Sequence, residues 1–312
     1  MSLPRLPSLA KGALSFVFPR FRTVHGYDNP GGTVSAESCY SIFLRHLSLL
    51  RRAGITRMPS VVAELGPGSS VGVGIAALLA GARRYYALDL VDFTNPESDI
   101  AVLDQLANFF RRRSPIPASG IHSCRFPDLE NYDWPEWLDL GPNQKWEERV
   151  AAIRNDVVAR SGRFIKIAAP WTDRAVVEDA SVDWIISQSV LEHVDALEEA
   201  YVAMARWLKP GGHASHLIDF SGHGMTKEWN GHWAIDDLTW RITRGKRPYL
   251  LNRRPYTDHL IIASKSSLAP IAETRNKRFD GLIPEDFAPR FREISYEDAR
   301  AQMVFVILRK HM

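Results

Sequence analysis

The sequence predicts an α/β fold, a doubly wound parallel sheet with helices on both faces, and three observations carry that prediction. A short apolar run, Val61-Val62-Ala63-Glu64-Leu65, enters the glycine turn Gly66-Pro67-Gly68 and then an apolar helix over 71–81. A second run, Arg84-Tyr85-Tyr86-Ala87-Leu88, follows at once and closes on the acidic Asp89. Further apolar runs then alternate with helical patterns to the end of the chain. Runs this short and this apolar read as strands buried on both faces.

Taken in order, the first 22 residues hold Arg5, Lys11, Arg20 and Arg22 with no acid, beside Leu14, Phe16, Val17, Phe18 and Phe21. Their apolar core is short and stops at Pro19 without a small-residue cleavage site, so they read as a terminal arm rather than a signal peptide. Weak peripheral contact with a membrane surface is the alternative. Ser35 is placed to cap a helix over 35–53, with Glu37 in its first turn and Gly54 just past its end. The core follows as strand 61–65, helix 71–81 and strands 84–89, 164–168 and 183–187. Helix 196–208, strand 213–219, a helix near 257–267 and strands near 270–276 and 303–309 complete it. The chain reads as one domain over 1–312, with an N-terminal arm and cap helix over 1–60. Residues 95–160 and 221–256 exceed what the alternation needs. Long connections leaving strands beside the crevice of an open sheet read as lid and substrate insertions, with an oligomer interface as the alternative.

A chain that is 45% hydrophobic and 24% charged is composed like a soluble globular protein. No apolar run approaches the roughly 20 residues that span a bilayer. A net charge of +3 gives no argument for nucleic acid by itself. Cys39 and Cys124 form neither a metal spacing nor a disulfide framework, which fits a reducing, cytoplasmic setting.

The glycine turn narrows the ligand. Glycine lets a backbone turn sharply and approach a ligand closely, and the helix that follows offers free N–H groups. A dinucleotide loop reads G-x-G-x-x-G, but Val71 stands at the third glycine position, and no Gly-Lys-Ser/Thr follows for a P-loop. Glu64, just before the first glycine, would repel a pyrophosphate and suits a cationic ligand. S-adenosylmethionine, with a sulfonium, an ammonium and a ribose, is such a ligand. Asp89 is placed to accept from ribose hydroxyls.

With Ser187-Gln188-Ser189-Val190-Leu191-Glu192-His193-Val194 and Leu208-Lys209-Pro210-Gly211-Gly212 added to these motifs, the chain resembles the class I S-adenosylmethionine-dependent methyltransferases over residues 60–90 and 163–220. The resemblance implies a Rossmann-like, seven-stranded, mostly parallel sheet whose last two strands form a reversed hairpin. It implies cofactor contacts from Glu64, Gly66, Pro67, Gly68, Asp89, Ser187 and Gln188. The adenine pocket would draw on Ala169, Pro170 and Trp171. The cap helix could bring Tyr40 and Arg45 toward the site, but packing and surface roles are the favoured reading for each. Glu64-Leu65-Gly66-Pro67-Gly68-Ser69, Tyr85 to Asp89 and Trp229-Asn230-Gly231-His232-Trp233 are similar to a bacterial subgroup associated with surface-polysaccharide biosynthesis, which implies a sugar hydroxyl as acceptor.

Transfer to a hydroxyl needs alignment and a proton acceptor. Asp219, at the carboxyl end of its strand, and His223, four residues on across a glycine turn, suit a base with its orienting carboxylate. His193 is a further candidate. His232 and Trp233 suit an acceptor pocket. The basic run Arg241, Arg244, Lys246, Arg247, Arg253 and Arg254 suits either an anionic acceptor or a solvated face. In quinone-type and RNA-end O-methyltransferases a related Glu-x-x-Glu-His turn helps bind a divalent metal. Ser189 stands where its first Glu belongs, so no metal is expected. No Asn/Asp-Pro-Pro-Tyr/Phe follows the fourth strand, which argues against base amino-group methylation. RNA, quinone or lipid acceptors and a non-catalytic cofactor-binding scaffold remain as alternatives.

Overall fold

The computed structural model describes residues 4–21, 35–118 and 126–312; Arg22 and Cys124 lie outside the described residues. Seven strands form one sheet in the order β3-β2-β1-β4-β5-β7-β6. They are β1 (Val61–Leu65), β2 (Arg84–Leu88), β3 (Ile165–Ala168), β4 (Val182–Gln188), β5 (Leu208–Asp219), β6 (Leu268–Lys277) and β7 (Ala301–Lys310). β1 pairs in parallel with β2 and with β4, while β7 runs antiparallel between β5 and β6. This is the class I methyltransferase architecture, reversed hairpin included. Strand order changes direction between β1 and β4, and ligands of open α/β sheets bind outside the carboxyl ends at such a point.

Helices α1 (Leu6–Ser15), α2 (Ala36–Arg52), α3 (Gly72–Leu79), α4 (Pro96–Arg111), α5 (Asn143–Ala159), α6 (Leu197–Trp207), α7 (Asp237–Arg244), α8 (Tyr256–Lys265) and α9 (Tyr296–Arg300) surround it. Alternate strand residues feed two cores. Val62, Trp184, Ile186 and Leu217 pack with α2 to α5. Ala63, Leu65, Ile185, Ile218 and Val304 pack with α6, α8 and α9. Each fully buried aliphatic side chain stabilises the fold by roughly 1.5–3 kcal/mol.

The insertion at 95–160 departs from the expected lid. α4 places Val102, Leu103, Leu106, Ala107 and Phe110 in the first core, joined by Trp134, Trp146, Ile153 and Val157. The segment is chiefly the helical layer that covers one face of the sheet. Tyr40 and Arg45 secure it and do not reach the crevice. The Tyr40 hydroxyl donates to the Ser114 carbonyl at 2.6 Å. Arg45 donates to the carbonyls of Pro117 and Pro127, each at 2.9 Å. β5 also begins earlier than expected, at Leu208, so the Lys-Pro-Gly-Gly stretch lies inside the strand. The N-terminal arm contains α1, which packs on α7 so closely that a Cβ on Gly12 would stand 2.1 Å from the Thr243 carbonyl oxygen.

Candidate active site

At the carboxyl end of β1 the chain turns through Gly66 and Gly68, both at φ +67°, a conformation that glycine adopts freely. The Gly66 N–H donates to Leu88 O at 2.8 Å, which ties the turn to β2. A Cβ on Gly66 would meet Val190 Cγ2 at 2.6 Å. Pro67 between them is buried. The start of α3 differs from expectation. Its N–H groups are not all free: Asp99, from α4, accepts from Val71 N at 3.1 Å and from Ser70 Oγ at 2.9 Å. The role of close helix–strand packing falls to Gly74, whose Cβ would stand 2.2 Å from the Tyr85 ring.

Three carboxyl groups surround this turn. Glu64 is buried beneath it and accepts from the Tyr85 hydroxyl at 2.5 Å. Burial pushes its pKa up to about 8, against the opposing Tyr85 hydrogen bond, with Asp89 adding repulsion. Asp89 is half-buried and accepts from Gly68 N at 3.3 Å and Leu90 N at 2.7 Å. Burial raises the pKa of Asp89, and likewise that of Asp99. No Lys or Arg donates to Glu64, Asp89 or Asp99 among the described residues. Trp171 joins the same corner: its N–H donates to Asp89 O at 2.9 Å, and its ring meets Trp207 edge-on at 6.2 Å. A cavity of about 550 Å³ opens beside β3, lined in part by Val71, Asp92, Asp99, Arg160, Lys166 and Ala169.

The two residues closing β4 are engaged inside the protein. Ser187 is fully buried, its hydroxyl 2.8 Å from His216 Nδ1. Gln188 Oε1 lies 3.0 Å from His46 Nε2, and His46 Nδ1 lies 2.8 Å from Ser215 Oγ. Burial holds the pKa of His46 down at about 4, so its ring is neutral near pH 7. Ser187 therefore offers its side chain to the core rather than to the crevice, and Gln188 is oriented by α2.

Four chemically active side chains meet at the ends of β4 and β5. Asp219 closes β5, and its Oδ1 accepts from Ser221 N at 2.8 Å. His223 Nε2 stands 3.7 Å from Asp219 Oδ2, and the His223 and His193 rings meet edge-on at 5.1 Å. His223 holds a left-handed φ of +45°, a region where histidine is enriched among non-glycine residues. Glu192 is buried, with Oε1 accepting from Asp219 N at 3.3 Å and Oε2 unpartnered. Burial, with Asp219 second, holds the Glu192 carboxyl well above the ordinary range. Burial lowers the pKa of His193 to about 3, with His223 second. Glu192, His193 and His223 each bring a donor atom within 4.8 Å of the others, a set able to hold a metal. The expectation of no metal rested on Ser189, four residues before His193. The tertiary fold brings His223 to that turn instead.

His223 also lines a cavity of about 540 Å³ with Arg5, Lys227, Trp229, Arg278 and Asp280. The expected acceptor residues do not line it. Trp233 is fully buried and donates from Nε1 to Arg253 O at 3.0 Å. Arg253 is buried as well, donating to His232 O, Ile235 O and Asp237. Arg254 pairs with Glu198 and Asp258. His232 is buried against the Trp233 ring at 4.5 Å. Of the remaining basic run, Arg244 pairs with Asp195, and Arg247 donates to carbonyls of α1 and α7. These cations build the insertion at 221–256. Sequence reasoning missed Asp99, Tyr85, Glu192 and His46. Glu192 and Tyr85 lay in motifs already singled out, while Asp99 and His46 act across elements far apart in the chain.

A family profile described as a methyltransferase domain matches residues 148–215. No curated protein matches the chain. Among solved structures it is similar to phosphoethanolamine N-methyltransferase 2 of Haemonchus contortus in complex with S-adenosyl-L-methionine, at 15% identity and a TM-score of 0.44, covering 97% of this chain and 57% of that one. It is also similar to geranyl diphosphate C-methyltransferase of Streptomyces coelicolor, at 13% identity and a TM-score of 0.42, covering 86% and 77%. A third is a SAM-dependent methyltransferase of Methanosarcina mazei, at 11% identity and a TM-score of 0.41, covering 82% and 94%. The profile match implies S-adenosyl-L-methionine as the cofactor and methyl transfer as the chemistry.

Proposed function

We propose that this protein transfers a methyl group from S-adenosyl-L-methionine to a hydroxyl oxygen of a small anionic or glycan acceptor. One observation carries the choice of donor. Asp89 and Asp99 flank the turn that would cradle the ligand, and no Lys or Arg is hydrogen-bonded to either among the described residues. An anionic cap at the start of α3 opposes a pyrophosphate there and favours a ligand with positive charge. The bound cofactor would supply a methyl group on a positively charged sulfur.

The chain's own residues do the rest. Asp89, already held by Gly68 N and Leu90 N, is the acceptor for ribose hydroxyls. Gly66 and Gly68 hold the left-handed turn, and Trp171 walls the adenine side. The acceptor enters by the cavity beside His223, where Arg5 and Lys227 carry no ion pair among the described residues and can meet an anionic group. Its hydroxyl proton passes to a group in the cluster of Asp219, His223 and His193. The surface-polysaccharide reading rests on the motif likeness and on this cavity. The basic run argues neither for glycan nor for nucleic acid, because four of its six cations, Arg244, Arg247, Arg253 and Arg254, are bonded internally.

Calorimetry of the full chain with S-adenosylhomocysteine and with NAD⁺ tests the donor. We expect saturable binding of the first and none of the second. Binding of NAD⁺ alone, or of neither, would overturn the proposal.

A further inference from the structure

We propose that the turn after β4 and the loop after β5 together bind one divalent transition-metal ion through Glu192, His193 and His223. Their donor atoms lie within 4.8 Å of one another. Bonds of ~2.0–2.2 Å to an ion put donors ~3–4 Å apart. His223 stands on a loop with a third of its side chain exposed, so a rotation of its ring closes that difference.

Glu192 carries the argument. It is 3% exposed, its Oε2 has no hydrogen-bond partner, and no Lys or Arg pairs with it among the described residues. Asp219 lies beside it and adds a second negative charge. A buried carboxylate with one oxygen unpartnered and the other held by an N–H bond is costly unless a proton or a cation answers it. His193 points the same way. Its ring hydrogen-bonds to the Tyr249 backbone, while Nδ1 is unpartnered. The nitrogen facing that carbonyl carries the hydrogen, which leaves the Nδ1 lone pair free. A metal-bound histidine with its other N–H tied to a backbone carbonyl has this arrangement. Two imidazoles and one carboxylate favour the Mn²⁺ to Zn²⁺ series over Mg²⁺ and Ca²⁺, which prefer oxygen donors.

The site deepens the methyl-transfer reading and rests on it for its chemistry. A hydroxyl bound to such an ion gives up its proton more readily. The proton then moves to the Asp219 carboxylate, and the acceptor oxygen keeps the electron pair with which it attacks. His193 and His223 serve as ligands, and Asp219 serves as the base.

The test titrates chelator-stripped full chain with Mn²⁺, followed by the paramagnetic resonance of free ion, and with Co²⁺, followed by visible absorption. We expect one saturable site, at least tenfold weaker in Glu192→Gln and in His223→Ala, with a changed Co²⁺ spectrum in His223→Ala. Should Glu192→Gln misfold by circular dichroism, His223→Ala decides, since its side chain leaves from a surface loop. Absence of a saturable site, or equal affinity in His223→Ala, overturns the proposal. Calorimetry with S-adenosylhomocysteine on the same samples separates the two readings. Thioether binding without Mn²⁺ binding sinks the metal site alone, and Mn²⁺ binding without thioether binding sinks the methyl-donor reading.

Discussion

Around the glycine turn, Glu64, Asp89 and Asp99 each accept a hydrogen bond from the chain itself, from Tyr85, Gly68 and Val71 respectively. At the end of β5 the account does not close: Glu192 Oε2 and His193 Nδ1 have no partner. Satisfied polar groups fix a backbone in one geometry, and buried leftovers mark a place built for something else to complete. The carboxyl groups of the first region are held by the chain itself, with Ser69 Oγ the unpartnered atom beside them; in the second, a carboxyl oxygen and a ring nitrogen are left over side by side.

If that contrast is right, the largest effect comes from the unfinished side. Asp219→Asn should lower turnover with the true acceptor by roughly 10²–10⁴-fold, the usual worth of a positioned base. Its affinity for S-adenosylhomocysteine should be unchanged. Loss of thioether binding in that variant would erase the distinction between the two regions. Next comes Asp89→Ala, which removes an acceptor from two backbone N–H groups and from the ribose together. At ~1.5–3 kcal/mol for a hydrogen bond to a charged group, thioether affinity should fall about 10–100-fold by calorimetry. Unchanged affinity would mean that the turn does not hold the ribose.

A pH series sharpens the comparison through folding stability instead of binding. Folding raises the pKa of Glu64 from its ordinary 4.5 to about 8. Between those values the unfolded chain has released the proton and the folded chain still holds it. Stability from this group is therefore full below pH 4.5 and declines as pH rises toward 8, by up to ~1.4 kcal/mol per pH unit. Glu64→Gln should flatten the decline between pH 5 and 8 in urea unfolding curves. An identical slope in the variant would show that Glu64 ionises freely in the folded state.

Much of the frame was legible beforehand because strand signals are local. The runs expected at 61–65, 84–89 and 183–187, observed at 61–65, 84–88 and 182–188, needed only apolar residues between turn formers. Length alone misleads. Residues 95–160 are long enough for a lid, yet Val102, Leu103, Leu106, Ala107 and Phe110 trace a helical stripe facing a core. Residue type misleads at Arg253 and Trp233, which suit a binding pocket. Nothing local said that the Arg253 guanidinium would be consumed by His232 O, Ile235 O and Asp237.

Local pattern alone carries the alternation of elements, the glycine turn at Gly66 and Gly68, and the acid that follows β2. Each depends on backbone freedom or burial within a few residues. Packing of the whole chain settles which carboxyl group caps α3, which cations are spent on packing, and that His223 stands beside Glu192 and His193. Those facts depend on distances between groups tens of residues apart, and one-dimensional spacing carries no information about them until the sheet has set the register.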